Sequence, residues 1–160
     1  MNTIYFWKHY HDHGHLCNWY SSRFVLDNQT FPNMEVYKMW RKAKLFKDED
    51  IASKILNAQS PSMAKQLGGS IKNFEQSKWD NNKEEIVYSG CLAKYTQNPE
   101  FKKKLLESGS KLLVEASPYD KVWGIGLKEQ LAKTIPQNQW PGQNLLGICL
   151  MKVRRSINEL

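Results

Sequence analysis

Cysteine is scarce: Cys17, Cys91 and Cys149 are three in 160 residues, widely spaced, odd in number and without a CxxC pair. Such sparse usage argues against a disulfide framework and fits a reducing cytoplasm. The chain also lacks any apolar run of the roughly 18 residues that a membrane-spanning helix needs. Near its N-terminus stand Lys8, His9 and Asp12, where a signal peptide carries an unbroken apolar stretch, which argues against secretion. No repeat, linker or low-complexity block divides the sequence, so residues 1–160 read as one domain with one core. No strand, glycine-rich turn and helix follow one another as a Rossmann pattern requires, and a lone Gly124-Ile125-Gly126 is poor support for dinucleotide binding.

Aromatic residues and positive charge are plentiful. Six Trp, seven Tyr and six Phe suffice both to fill a core and to line a pocket that stacks a base or a sugar. The net charge of +7 and pI near 9.3 suit a phosphate-bearing partner, although proteins that bind no polyanion share such an excess.

Periodicity gives a mainly helical α+β domain with a small sheet. Residues 3–7 and 22–26 are β-prone, with turn chemistry at Asp27-Asn28. A helix starts after Asn33 as N-cap, a second covers about 50–58, and Ser60-Pro61 opens a third that stops at Gly68-Gly69. A long helix over 77–97 has Gly90 in its middle, which is tolerable if something packs closely there. Asn98-Pro99 is expected to cap a helix over 100–108. Residues 111–116 read as an interior strand, 117–141 as loop, and about 143–157 as a last amphipathic helix.

Four places carry candidate chemistry. Glu35 and Lys42 fall on one stripe of the helix after Asn33, because seven residues advance about 700°. The two long side chains can converge on one ligand; the same spacing fits a solvated charged face with Lys38 as the i+3 partner of Glu35. The loop 117–126 supplies Asp120, Tyr119 and Trp123, with Gly124 and Gly126 allowing close backbone approach. The stretch 140–147, containing Asn144, presents a helix start suited to phosphate or serves as a simple cap. His9, His11, His13 and His15 alternate, so a strand would align all four imidazoles; incidental solvated histidines are favoured over a metal site, and no metal is assigned.

The fragments Asn18-Trp19-Tyr20 followed by Phe24, 35–43, Ile55-Leu56, Phe74 with Trp79-Asp80, 92–95 with 97–99, 113–120, 123–127 and 142–147 arrive in the order found in the NADAR (YbiA-like) family. The chain resembles that family from about Ile4 to Arg155. The resemblance implies a YbiA-like fold and hydrolysis of N-glycosidic bonds to an amine on a base-like ring, with no cofactor. It implies two substrate classes, ADP-ribose on the amino group of guanine in nucleic acid or nucleotide, and phosphorylated ribosylamino-pyrimidine intermediates of riboflavin synthesis. The first is favoured by the positive charge, and a cognate ADP-ribosyltransferase is then a candidate partner. A module that binds ADP-ribose without cleaving it is the remaining alternative.

On the same resemblance Lys42 is the candidate covalent catalyst, Glu35 the proton shuttle and Asp120 a ligand or proton donor at the ribose. Asn18, Trp19, Tyr20, Trp79, Trp123, Gly124, Gly126 and Asn144 are the expected substrate contacts, Asn144 at the phosphate. The cationic neighbours Lys38, Arg41 and Lys44 can depress the proton affinity of Lys42. Three positions depart from the family pattern: Val36 where relatives have Gln or His, Arg41 for an acidic or amide residue, and Lys83 for an arginine. They spare the candidate catalytic pair.

Overall fold

The computed structural model describes residues 2–160. In chain order these form β1 (Thr3–Phe6), β2 (Phe24–Leu26), β3 (Gln29–Phe31), α1 (Met34–Leu45), α2 (Glu49–Leu56), α3 (Pro61–Gly68), α4 (Gln76–Gln97), α5 (Pro99–Glu107), β4 (Leu112–Glu115), α6 (Glu129–Ala132) and α7 (Leu145–Asn158). Helix therefore dominates, and the strands make only two small sheets, β1–β4 parallel and β2–β3 antiparallel. The chain packs as two compact units, one spanning Asn18–Asn98 and the other joining the chain up to Cys17 with Pro99–Leu160.

In the Asn18–Asn98 unit, local sequence chemistry sets the helix starts. Side-chain oxygens of Asn33, Asp48 and Ser60 accept from the N–H groups of Val36, Ile51 and Met63 at 2.9, 3.1 and 3.1 Å. Each satisfies a donor that a helix N-terminus otherwise leaves unpaired. Asp48 thereby starts α2 at Glu49, one residue before the boundary expected from its apolar pattern. Asp27 and Asn28, at φ 53° and 61°, form the two-residue turn between β2 and β3.

Helix α1 lies against α2, α3 and α4, while β3 packs on α1 and β2 on α4. The rings of Phe24, Phe31, Tyr37 and Trp40 form a contiguous cluster with centroids 5.0 to 5.6 Å apart. The outer edge of β2 is closed by one side chain. Gln97 accepts from Val25 N–H and donates to Val25 C=O, both at 2.8 Å, as a neighbouring strand would. Asn98 stands directly before α5, as expected, and also ties the end of α4 to the β2 approach: its Nδ2 donates to the carbonyls of Lys94 and Arg23. The amide has carbonyls within reach on both sides and spends its donors there.

In the other unit, β1 and β4 pair in register from Thr3↔Leu112 to Phe6↔Glu115, α7 packs on β4 and α5 on α7. Leu113 and Val114 are fully buried, as expected of 111–116, but β4 has a strand on one edge only. Its other edge is met by Asn144, whose Oδ1 accepts from Glu115 N–H at 3.0 Å and whose Nδ2 donates to Leu113 C=O at 2.9 Å. Asn144 sits at φ 55°, which delays α7 to Leu145. Residues 117–141 are largely irregular, as expected, with the single-turn α6 among them.

The His-rich segment departs from expectation. Residues 8–16 turn back through hydrogen bonds from His11 N–H to Lys8 C=O and Gly14 N–H to His11 C=O, then a short 3-10 turn at Gly14–Leu16. His13 has φ 63°, so the imidazoles cannot share a strand face. His15 is buried while His9, His11 and His13 are exposed. Among the described residues no three His, Cys, Asp or Glu side chains converge as a metal site, and no helix is long and apolar enough to cross a membrane.

Gly90 gives the first prediction. A Cβ there would stand 2.6 Å from the Tyr37 ring and 2.8 Å from the end of Met34. Helix propensity alone favours Gly→Ala by up to about 1 kcal/mol. Overpacking against a ring with no room to retreat costs about 1–3 kcal/mol. Gly90→Ala is therefore expected to lower the urea midpoint, as followed by circular dichroism; a raised midpoint contradicts the close packing of α4 on α1.

Candidate active site

Helix α1 is buried along its whole first half, from Met34 to Trp40, with two charged residues inside that stretch. Glu35 is 3% exposed, and its N–H donates to the Asn18 carbonyl at 3.1 Å. Its carboxylate receives Lys38 Nζ at 3.2 Å, the pair being almost wholly out of solvent. The arrangement is not the solvated charged face that the spacing also allowed. Removing two charges from water is costly, and mutual pairing is what makes both tolerable.

One turn further along the stripe lies Lys42, half-buried. Its Nζ is 3.3 Å from the Gly68 carbonyl, 4.7 Å from the Phe74 ring centroid and 5.5 Å from the Trp79 ring. Burial, and then the positive charge of Lys38, push its pKa below the ordinary lysine value, while Glu35 opposes them. The folded chain thus holds this proton less tightly than the unfolded chain. Lys42 therefore costs stability below its folded pKa, and the cost vanishes as pH rises to the unfolded value. Chemically, the shift increases the share of neutral, nucleophilic amine at physiological pH.

Helix α4 lines the same unit with Trp79, and Asp80 and Lys83 pair one turn on at 2.7 Å. Hydrogen bonds from Lys83 and then Gln76 hold the Asp80 carboxyl below the usual carboxylate range. Lys83 is 8% exposed, so the residue standing in place of the family's arginine is occupied locally. Asn18 is equally buried, and its Oδ1 accepts no hydrogen bond among the described residues. An orphaned buried acceptor is rare and calls for a donor. Trp19 and Tyr20 follow it, each half-buried.

The remaining expected residues belong to the other unit. Asp120 Oδ1 accepts the N–H groups of Val122 and Trp123 at 2.9 and 2.8 Å, folding the loop over itself. Trp123 is buried. Gly124 is required because a Cβ would stand 2.9 Å from the Glu115 carbonyl, and Gly126 because its φ is 74°. Asn144 is committed to β4, as described above. The N–H groups of Leu145 and Leu146 at the start of α7 donate to the carbonyls of Val122 and Trp123. The expected phosphate-facing helix start is thus closed by its own loop, and Asn144 holds β4 and that loop together.

Sequence reading left the Phe74 ring and the Gly68 carbonyl out of the surroundings of Lys42, while it did give Lys38 as a charge that lowers the proton affinity of Lys42. Lys38 was legible as an i+3 partner of Glu35, but its burial was not. Phe74 and the Gly68 carbonyl come from chain 26 to 32 residues beyond Lys42, and no local signal links them to it.

Comparison with known proteins places the chain in a family. The NADAR domain family matches residues 5–158. An N-glycosidase of Acanthamoeba polyphaga mimivirus is 48% identical over 124 residues, covering 78% of this chain and 73% of the relative. An N-glycosidase of Nostoc punctiforme is 30% identical over 158 residues, covering 99% of this chain and 94% of the relative. The NMR structure of the Escherichia coli protein YbiA superposes with a TM-score of 0.81 at 26% identity, over 99% of this chain and 86% of that one. The chain belongs to the NADAR domain family, among the YbiA-like N-glycosidases, and has their mainly helical fold.

The proton affinity of Lys42 is testable without a substrate. Lys38→Met removes a neighbouring positive charge and is expected to raise the pH at which Lys42 becomes reactive toward an acylating reagent, read by peptide mass spectrometry. Glu35→Gln is expected to lower it. Identical pH profiles in the two variants contradict the electrostatic coupling along α1.

Proposed function

We propose that this N-glycosidase removes ADP-ribose from the amino group of guanine, in nucleic acid or nucleotide, by way of a covalent imine on Lys42. The observation that carries the reading is an amine of lowered proton affinity, half-buried against two rings and one helix stripe from a buried carboxylate. A riboside on an exocyclic amine opens when the C1–O4 bond breaks, O4 taking a proton and C1 forming an imine with the base nitrogen. The neutral amine of Lys42 then adds to C1. A proton passed through Glu35 to the base nitrogen allows the C1–N bond to break, leaving a Lys42 imine and free guanine. Water adds to that imine, the C–N bond to Lys42 breaks, and the sugar leaves as the aldehyde that recloses to ribose. Atoms balance with one water consumed and no redox partner.

Asn18 supports the assignment, because a ribose hydroxyl is a donor suited to its orphaned Oδ1. Trp19, Tyr20 and Trp79 are assigned to the walls around the sugar and base. Asp120, whose Oδ1 already accepts two backbone N–H groups, belongs with Trp123, Gly124 and Gly126 to the other unit, and no step above uses them. The net charge of +7 favours a polyanionic substrate over a small one. An ADP-ribosyltransferase acting on guanine is the class of enzyme that must supply it.

Incubation with an ADP-ribosylated guanine oligonucleotide, beside the phosphorylated ribosylamino-pyrimidine, tests the reading by product mass. Release of ADP-ribose from guanine is expected, with borohydride trapping a sugar adduct on the Lys42 peptide. Lys42→Ala is expected to lower turnover by at least about a hundredfold while keeping the fold. A fully active Lys42→Ala overturns the covalent route. Turnover of the pyrimidine riboside with modified guanine untouched overturns the substrate assignment in favour of the riboflavin intermediates.

A further inference from the structure

The unit formed by the chain up to Cys17 and Pro99–Leu160 carries a run of neighbouring rings on its surface. Tyr119 lies 6.0 Å from Trp7 at a 49° tilt, and Trp7 lies 6.5 Å from His11. His11 is 4.8 Å from Tyr10. Tyr10 is 71% exposed and Tyr119 86% exposed, the two most exposed aromatic residues among the described ones. Lys8 Nζ stands 4.3 Å over the Trp7 ring.

These rings sit on a held framework. The backbone turns at Lys8–His11 and His11–Gly14 fix the segment, and Cys17 Sγ donates to the Trp7 carbonyl. Gly14 lies so close beneath the His9 carbonyl that a Cβ would stand 2.1 Å from it. Tyr119 is set by the Asp120 turn, and its own N–H donates to Ser117 Oγ at 3.3 Å. Neither tyrosine ring is buried by the fold, and neither hydroxyl makes a hydrogen bond with another described residue. Their exposure serves no packing purpose inside the unit, and adjacent exposed rings are an interaction surface.

The chemistry favours one occupant. Rings of differing tilt a few ångströms apart, with an ammonium beside them, accept successive unpaired bases and the phosphate between them. A duplex keeps its base faces stacked on one another and would offer such a surface only phosphates. The net charge of +7 complements a polyanion. We propose that this surface binds single-stranded nucleic acid, stacking unpaired bases on Tyr10, Trp7 and Tyr119 while Lys8 takes a backbone phosphate. The inference rests on the glycosidase reading only for its purpose, which is to hold the strand that carries the modified guanine.

Fluorescence anisotropy with a labelled, unmodified short single strand, and with the duplex of the same sequence, tests it without any turnover. The wild-type chain is expected to prefer the single strand, with quenching of tryptophan emission. The double variant Tyr10→Ala/Tyr119→Ala is expected to bind about tenfold or more weakly, and Tyr10→Phe/Tyr119→Phe to bind within about twofold of wild type, since stacking needs the ring and not the hydroxyl. Both tyrosines are exposed, so circular dichroism should show the fold unchanged. Equal binding by the double alanine variant, equal affinity for duplex, or no binding of the wild type to the single strand each overturns the proposal. Any of these results leaves the glycosidase assay on modified mononucleotide free to succeed or fail by itself.

Discussion

Burial of charge along α1 is the constraint around which the Asn18–Asn98 unit is organised. The helix needs three faces at once, because α2, α3 and α4 all pack on it. Its first seven residues are consequently buried, Glu35 and Lys38 among them. Burying a carboxylate without a counter-ion is costly, and the 3.2 Å contact with Lys38 offsets that cost and holds the side chain in place. Lys42 follows on the same stripe with Lys38 nearby and rings around it. The same packing that closes the core therefore prepares an amine with weakened proton affinity. Structure and chemistry meet in one helix.

The two small sheets share a second device. Two-stranded sheets are marginal alone and leave backbone groups exposed at their edges. In each, a side-chain amide supplies what a further strand would: Gln97 on Val25, and Asn144 on Leu113 and Glu115. The second case also organises the loop of Asp120, since residues 144 to 146 donate to the carbonyls of Gly124, Val122 and Trp123. One asparagine thus joins β4, the glycine-bearing loop and the start of α7.

The elements legible in the sequence are those whose ends are set locally. Asn33, Ser60-Pro61 and Gly68-Gly69 bound their helices because capping is a contact between near neighbours. The demand for close packing at Gly90 was likewise readable, since glycine in mid-helix has little other use. What escaped reading depends on distant chain. Alternating histidines imply a strand only if the backbone stays extended, and the left-handed His13 with Gly14 beneath His9 bends it instead. Asn144 looks like an ordinary helix cap until the carbonyl of Leu113 comes within reach. At the site, the stripe of Glu35 and Lys42 was readable from helical spacing, whereas its burial needed α2, α3 and α4 in place.

The central claim is that Lys42 gives up its proton more readily than a free lysine. Titration of the protein with isotope-labelled lysine side chains, following the Lys42 resonance by NMR, measures this directly. The account predicts a midpoint below that of the exposed lysines in the same spectrum. A Lys42 midpoint equal to theirs, or above it, would contradict it.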